Sequence, residues 1–194
     1  YVSEKVNLQD KNVIDVACGE GLWVEALNKF GAKVTGIDIS DVAINTAQIH
    51  AEKTNCDVTY IHGEAEDLLP ENKETFDVVT CLEAIEHVPD PQQLVKTCSD
   101  LCKPGGTIVF STINRNPKSF LFAIIGAEYI LNLLPKGTHE FKKFLKPSEL
   151  SNMMRNSNLE VKEIIGMSYN PLTKKYWLGK DVDVNYMIHA EKSK

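Results

Sequence analysis

The stretch from Val13 to Gly21, V-I-D-V-A-C-G-E-G, constrains the fold more than any other part of the chain. Its first four residues are typical of a short buried strand, and Gly19 and Gly21 then form a turn at a spacing of two. Residues 22–30 have helical periodicity, so the turn joins the carboxyl end of a strand to the amino end of a helix. Open α/β sheets bind ligands at this position, where glycine lets a ligand approach bare backbone.

An acidic residue supports a nucleoside-binding interpretation of this turn. A second predicted strand, 33–37, is followed directly by Asp38, which there can accept hydrogen bonds from both hydroxyls of a ribose. Val24 occupies the position where a dinucleotide-binding fingerprint requires a third small residue. The pattern therefore predicts a nucleoside-bearing cofactor other than a dinucleotide. The alternative is a tight glycine turn that binds nothing.

Strands and helices alternate along most of the chain, which predicts a doubly wound α/β sheet. Further strands are predicted at 58–61, 76–82, 107–112, 161–167 and 184–189, and further helices at 41–53, 91–101 and 147–156. The expected architecture is Rossmann-like, with a mostly parallel seven-stranded sheet and helices on both faces. The 194 residues are expected to form a single domain with an apolar helical segment inserted at about 115–146, and an amino-terminal segment is expected to be missing.

Composition narrows the classes of partner. The chain has 27 acidic and 21 basic residues and a formal net charge of -6, which argues against nucleic acid because no basic surplus is available to neutralise phosphates. Five cysteines form no C-x-x-C pair and lie mostly in apolar stretches, which is typical of reduced, buried thiols in an intracellular protein. They are Cys18, Cys56, Cys81, Cys98 and Cys102.

An apolar stretch interrupts the α/β pattern. Residues 119–134 carry one charged side chain, Glu128, and are too few to cross a bilayer but enough for a helix. The composition alone is compatible with an ordinary core helix and with an amphipathic helix that touches a membrane.

Glu83, Glu86 and His87 directly follow the fourth predicted strand. Their spacings of three and four place them on one face if a helical turn begins there. Two carboxylates and an imidazole suit a divalent cation, with magnesium or manganese favoured and zinc as an alternative. Elsewhere in a chain they would be read as a solvated helix start, but beside the cofactor turn they are candidates for an active site.

Five motifs within the first 112 residues resemble, in order, the class I S-adenosylmethionine-dependent methyltransferases: D-V-A-C-G-E-G, G-I-D, G-E-A-E-D-L, F-D-V-V-T-C-L-E and L-C-K-P-G-G-T-I. Other motifs resemble more narrowly the O-methyltransferases of ubiquinone biosynthesis, nearly to the carboxyl terminus: E-A-I-E-H-V-P-D-P, S-T-I-N-R-N, L-P-K-G-T-H-E-F-K-K-F and V-N-Y-M-I-H. One position departs from the family pattern, because Ala17 stands where the family usually has glycine. The added methyl group would crowd the cofactor if the backbone there needs a positive φ.

The resemblance implies a role for several residues. The turn from Ala17 through Gly19 to Gly21 would hold the methionine part of S-adenosylmethionine, and Asp38 the ribose. The other cofactor-binding residues would be Ile39 beside Asp38, Glu64 and Ala65 facing the adenine, and Leu82 lining the pocket. Magnesium, or another divalent cation, would be bound by Glu83, Glu86 and His87.

The substrates implied by the resemblance are polyprenylated catechols, methylated on a ring hydroxyl at two steps of the pathway. A bound metal would chelate the catechol oxygens and lower the hydroxyl pKa, with His139 or Lys143 as the candidate base. A polyprenyl tail favours membrane contact through residues 119–136, and other enzymes of the pathway are further candidate partners. The expected location is the bacterial cytoplasm at the inner membrane, with the matrix face of the mitochondrial inner membrane as the alternative.

Three other functions are compatible with parts of the pattern. The first is a metal-independent methyltransferase for another small molecule. The second is a non-catalytic binding protein that keeps the methyltransferase fold. The third is a nicotinamide-binding protein, which Val24 makes the weakest of the three.

Overall fold

An eight-stranded β-sheet runs through the part of the chain that the computed structural model describes, residues 1–119, 141–170, 173 and 175–194. Its strands are β1 (Asn12–Val16), β2 (Lys33–Asp38), β3 (Val58–His62), β4 (Phe76–Leu82), β5 (Cys102–Ile113), β6 (Leu159–Asn170), β7 (Lys175–Gly179) and β8 (Asn185–Lys192). The spatial order is β3-β2-β1-β4-β5-β8-β6-β7.

The first five strands are parallel and the last three run antiparallel to their neighbours. The order reverses between β1 and β4, which places a ligand-binding crevice at the carboxyl ends of these two strands. The predicted doubly wound α/β fold is therefore confirmed. The predicted strand count is one too low, because residues 175–179 form an edge strand against β6 where a hairpin connection was expected.

Helices lie on both faces of this sheet. They are α1 (Val2–Lys5), α2 (Leu22–Asn28), α3 (Asp41–Thr54), α4 (Leu69–Asn72), α5 (Pro91–Leu101), α6 (Pro117–Ser119) and α7 (Pro147–Asn156), with 3-10 turns at Ala65–Leu68 and Phe141–Lys143. Ile14 and Val16 of β1 belong to the core cluster that includes α5 and α7, whereas Val13 belongs to the cluster that includes α1, α2 and α3. Since successive strand residues point to opposite faces, the two clusters fill the two sides of the sheet.

A buried carboxylate ties α2 to α3. Glu25 is 3% exposed and bonds to His50 Nδ1 at 2.5 Å, to the Thr54 hydroxyl at 3.1 Å and to the Cys56 thiol at 3.6 Å. Burial alone would raise the pKa of Glu25, but the bonds from His50 and Thr54 outweigh it and hold the pKa below its ordinary value. The contact fixes the helix that follows the glycine turn against its neighbour.

The variant Glu25→Gln is expected to lower the free energy of unfolding at pH 7 by about 2 kcal/mol, because charge-assisted bonds to a buried group are lost. Since the folded-state pKa of Glu25 is lowered, its contribution is present above the unfolded pKa near 4.5 and is lost as the pH falls through the folded value. Urea unfolding at several pH values measures this. Glu52→Gln, at an exposed position on α3, is the control; equal losses in both variants would contradict the assignment.

Parts of the predicted organisation fall outside the described residues. The apolar helix expected at 119–134 does so apart from Ser119, which ends α6, and His139 does so entirely. Among the helices formed by the described residues, none is long and apolar enough to span a bilayer.

Candidate active site

The predicted cofactor-binding residues lie in one line along the carboxyl edge of the sheet. The chain segments after β3, β2, β1 and β4 are neighbours there, because these strands are adjacent and parallel. Two backbone bonds join the segments: Cys18 N–H donates to Ile37 O at 3.0 Å, and Gly63 N–H donates to Asp38 O at 3.0 Å. The structure therefore brings the predicted residues together at one edge of the sheet, while their individual contacts with a cofactor stay predictions.

The two glycines of the turn serve different purposes. A Cβ added at Gly19, where φ is +53°, would meet no atom within 4 Å, so the turn faces open space there. A Cβ added at Gly21 would come within 2.1 Å of the Tyr60 hydroxyl oxygen. Gly19 thus leaves room for a ligand against bare backbone, whereas Gly21 is required by the packing of Tyr60.

Ala17 has a positive φ of 58°, in the left-handed region that disfavours a Cβ. A positive φ favours glycine, which is the residue that the family usually has at this position. A left-handed conformation costs an L-residue about 1–2 kcal/mol, so the turn of this chain carries backbone strain at Ala17.

The variant Ala17→Gly is expected to raise the free energy of unfolding by about 0.5–1 kcal/mol, because relief of the strain exceeds the extra chain entropy of glycine. Urea unfolding measures the change. The control is Ala43→Gly, within helix α3, which is expected to lower stability by about 1 kcal/mol. A loss of stability in both variants would contradict strain at Ala17.

Asp38 ends β2 and already organises the turn. Its Oδ2 accepts a hydrogen bond from Gly19 N–H at 2.9 Å, and its Oδ1 accepts one from Ser40 N–H at 2.8 Å. Each carboxylate oxygen retains further acceptor capacity, as a ribose diol requires. The half-buried carboxylate beside the open space at Gly19 fits the ribose of S-adenosylmethionine.

The remaining predicted cofactor residues flank Asp38 on both sides. Ile39 is 69% exposed, so its apolar side chain faces solvent at the edge of the crevice. Glu64 is exposed and caps the 3-10 turn in which Ala65 is buried, while Leu82 is half-buried at the end of β4. An exposed apolar residue and a buried small residue beside Asp38, the predicted ribose-binding acid, are compatible with an adenine site.

A buried acid lies beneath the turn. Asp15 on β1 is 3% exposed and accepts a hydrogen bond from the Thr80 hydroxyl at 2.5 Å. Burial raises the pKa of Asp15 to about 7, the Thr80 bond opposes the rise, and the charge of Asp38 adds to it. The pair joins β1 to β4 directly below the crevice, a contact that the sequence patterns did not predict.

Glu83 stands at the end of β4 with its carboxylate held from two strands. The Ser111 hydroxyl donates to Oε1 at 2.7 Å, and the Asn185 amide donates to Oε2 at 3.2 Å. The residue as a whole is exposed. Loss of solvent around its carboxylate raises the pKa of Glu83 to about 7, the nearby Glu86 charge adds to the rise, and the two hydrogen bonds oppose it.

The helical turn on which the predicted metal site depends is not formed. Glu83 has a positive φ of 52°, and His87 N–H donates to Ala84 O in a simple turn. Glu86 is 3% exposed; its Oε2 accepts from the Thr112 hydroxyl at 2.8 Å, and its Oε1 has no hydrogen-bond partner among the described residues. His87 is exposed.

The spacing rule fails here because it holds only within a helix. The carboxylates bond to Ser111 and Thr112, successive residues of β5 that point to opposite faces of the sheet. Within the described residues, no three His, Cys, Asp or Glu side chains are grouped to hold a metal ion. As they are placed here, Glu83, Glu86 and His87 therefore do not form a three-ligand site for magnesium.

Of the two predicted bases, only Lys143 is described. It is exposed in the turn Phe141–Lys143. Nearby, Leu145 N–H donates to Ile113 O at 3.2 Å, which places this segment at the carboxyl end of β5 and thus at the active-site edge. The role of Lys143 as a base, like that of His139, stays a prediction.

The residues that hold the two carboxylates were absent from the sequence prediction. Ser111 and Thr112 lie near the end of β5, and Asn185 begins β8. The two hydroxyls could have been found, because β5 is the neighbour of β4 and its polar pair F-S-T-I interrupts an apolar strand. Asn185 could not, since its position depends on the antiparallel return of β8.

Comparisons with known proteins agree with this geometry. A family model described as a methyltransferase domain matches residues 2–164. The ubiquinone biosynthesis O-methyltransferase of Pseudomonas syringae pv. tomato is 56% identical over 190 residues, covering 98% of this chain and 82% of that protein. That of Marinobacter nauticus is 54% identical over 192 residues, covering 98% and 81%.

Solved structures share the fold at lower identity. A SAM-dependent methyltransferase from Aquifex aeolicus has a TM-score of 0.70 at 14% identity, covering 98% of this chain and 87% of that one. Magnesium protoporphyrin IX methyltransferase from Synechocystis, with bound SAH, has a TM-score of 0.72 at 19% identity, covering 99% and 78%. The fold, the family model and the close relatives together show that the chain is an S-adenosylmethionine-dependent O-methyltransferase and belongs to the family of ubiquinone biosynthesis O-methyltransferases.

Proposed function

We propose that the protein transfers a methyl group from S-adenosylmethionine to a ring hydroxyl of polyprenylated catechols in ubiquinone biosynthesis, both demethylubiquinol and the earlier polyprenyl-hydroxyphenol intermediate. The observation that carries this proposal is the 56% identity to a ubiquinone biosynthesis O-methyltransferase over 98% of the chain. The crevice supports it, because Asp38 at the end of β2 and Glu83 after the end of β4 lie at the same edge of the sheet.

The reaction is an in-line displacement. The sulfonium of S-adenosylmethionine supplies an electrophilic methyl group; the hydroxyl oxygen forms the new C–O bond as the C–S bond breaks and the hydroxyl proton leaves. The protein's main task is to align oxygen and methyl and to exclude water.

Each part of the crevice contributes one step of that alignment. Asp38 holds the ribose, and the bare backbone at Gly19 lets the methionine part lie against the turn. Glu83, fixed by Ser111 and Asn185, accepts a hydrogen bond from the ring hydroxyl and orients its oxygen. Lys143 or His139 is the predicted base that takes the hydroxyl proton as the new bond forms.

The magnesium part of the prediction is tested by chelation. The resemblance assigns a divalent cation to Glu83, Glu86 and His87, where it would lower the hydroxyl pKa. Because the described residues show no group of side chains placed to hold an ion, no step of the mechanism above uses one. Turnover that vanishes with chelator and returns with Mg²⁺ would support the assignment, and turnover that persists would contradict it.

Membrane contact is proposed for residues 119–136 because of their apolar composition and the lysines that follow. Lys142 and Lys143 are exposed and would lie near anionic headgroups. Flotation with vesicles containing anionic lipid tests this. Replacing apolar residues within 120–134 by serine is expected to abolish flotation while leaving S-adenosylmethionine binding unchanged.

The activity itself is tested by supplying a short-tailed demethylubiquinol analogue with S-adenosylmethionine. The methoxy product is expected together with S-adenosylhomocysteine in equal amounts. Cofactor binding without turnover on this analogue, or on a polyprenylated dihydroxybenzoate, would contradict the proposed substrate class and favour another small hydroxylated acceptor.

A further inference from the structure

A two-stranded extension of the sheet stands beside the crevice. Pairing between β6 and β8 ends at Met167↔Asn185, whereas pairing between β6 and β7 continues to Asn170↔Lys175. Asn185 lies opposite Ile113 at the carboxyl end of β5 and bonds to Glu83. The β6–β7 extension therefore projects past the same edge of the sheet that carries the active site.

One face of this extension carries a row of side chains that begins at Asn185, the residue that bonds to Glu83. Directly paired residues of neighbouring antiparallel strands point to the same face, so Asn185, Met167 and Leu178 form one row. The next row on that face is Tyr169 opposite Tyr176, with ring centroids 4.5 Å apart. We call Met167, Leu178, Tyr169 and Tyr176 the apolar stripe.

The apolar stripe is exposed where it leaves the crevice. Tyr169 and Leu178 are each 40% exposed and Tyr176 is 69% exposed. Lower on the same face, Lys5 and Tyr1 at the start of the chain contact the charged Glu163 of β6. The exposed apolar side chains of the face therefore lie at the end nearest the active site.

The stripe has the dimensions of a binding surface for a chain-like molecule. Strands in a sheet lie about 4.8 Å apart and residues on one face of a strand about 7 Å apart. From Asn185 to Tyr176 the row spans about 10 Å across the strands and about 7 Å along them. An apolar surface of that length contacts more than one isoprene unit.

We propose that the apolar stripe binds the ring-proximal part of the polyprenyl tail when the ring hydroxyl lies at Glu83. This inference rests on the proposed function. Its basis is continuity, since the row begins at the residue that bonds to Glu83 and leads outward over apolar side chains with no charged group among them. Tail binding there turns the ring towards the carboxylate and adds affinity only for tailed substrates.

The sequence of the edge strand β7 argues against pairing with a second copy of the chain. Lys175 begins β7 and Lys180 follows its end. Lysines at an edge strand oppose pairing with another strand. A ligand is therefore expected to bind to the side chains of the stripe and not to the edge of the strand.

The test compares two substrates in the double variant Tyr176→Thr, Leu178→Thr. Threonine removes apolar area but keeps a high β propensity. The KM for a catechol ring with a farnesyl tail is expected to rise about tenfold, the loss expected for about 50 Å² of apolar contact. The KM for the same ring without a tail and both kcat values are expected to stay within twofold.

The matched control is Trp177→Thr, an exposed aromatic on the opposite face of the same strand, paired with Ser168. It is expected to leave both KM values unchanged. An equal change in both substrates, or an equal effect of Trp177→Thr, would overturn tail binding by the stripe. A defect seen only when the tailed substrate is embedded in vesicles would overturn it in favour of membrane contact.

Failure of the proposed function gives a different result. If the unmodified protein binds S-adenosylmethionine but methylates neither ring, the substrate class is wrong and the stripe proposal falls with it. If it methylates both rings with the same KM and the stripe variant matches it, the proposed function stands and only the stripe proposal is overturned.

Discussion

Replacing Asp38 by alanine is expected to weaken S-adenosylmethionine binding about a hundredfold, equivalent to about 2.7 kcal/mol. Two effects combine. In the proposed binding mode, the carboxylate accepts charge-assisted hydrogen bonds from the ribose, each worth about 1.5–3 kcal/mol. It also holds the turn itself, because Gly19 N–H and Ser40 N–H both donate to it, at 2.9 and 2.8 Å. Isothermal titration with the cofactor measures the loss.

Two further variants separate these effects. Asp38→Asn keeps an acceptor for the turn but loses the charge, so an intermediate loss is expected. Asp41→Asn changes an exposed acid three residues along, in the first turn of α3, and is expected to change binding less than twofold. Equal binding by Asp38→Ala and the unmodified protein would show that the ribose is held elsewhere.

The places of the predicted cofactor-binding residues in the fold could be predicted from sequence because they depend on short-range features. A strand, a glycine turn and an acid after the next strand follow one another closely in the chain. Parallel pairing then places Val16, Asp38 and Leu82 at one edge without further information. The doubly wound order follows from the same alternation of strands and helices.

The surroundings of Glu83 were less predictable because they depend on long-range pairing. Asn185 reaches Glu83 across 102 positions of the chain, and only the antiparallel course of β8 brings them together. Edge strand β7 has five residues and no buried side chain, so the hydrophobic pattern gave no signal for it. The spacing of Glu83, Glu86 and His87 places them on one face only within a helical turn, and no helix forms at these residues.

Backbone strain marks both halves of the crevice. Ala17 after β1 and Glu83 after β4 both have positive φ, at the switch point where the strand order reverses. For Glu83 the strain is maintained by bonds from its backbone N–H to Ser111 O at 3.0 Å and from the Ser111 hydroxyl to its carboxylate. Such outliers cluster at functional sites, where surrounding contacts over-determine the conformation.

The variant Glu83→Gln is therefore expected to lower kcat at least a hundredfold on a catechol substrate, while cofactor binding stays within twofold. Glutamine keeps the size of the side chain and can still bond to Ser111 and Asn185, but it has no negative charge to orient an ionising hydroxyl. Single-turnover methylation and cofactor titration on the same preparation measure the two quantities.

Ser111→Ala tests whether the position of the carboxylate matters as well as its charge. This variant keeps Glu83 but removes the bond to Oε1, so a fall in kcat of about tenfold is expected, with cofactor affinity unchanged. Glu71→Gln, an exposed acid in α4, should leave both quantities unchanged and controls for net charge. If Glu83→Gln kept full turnover at unchanged thermal stability, the carboxylate would be structural, and the hydroxyl would have to be oriented by another group at the same edge of the sheet.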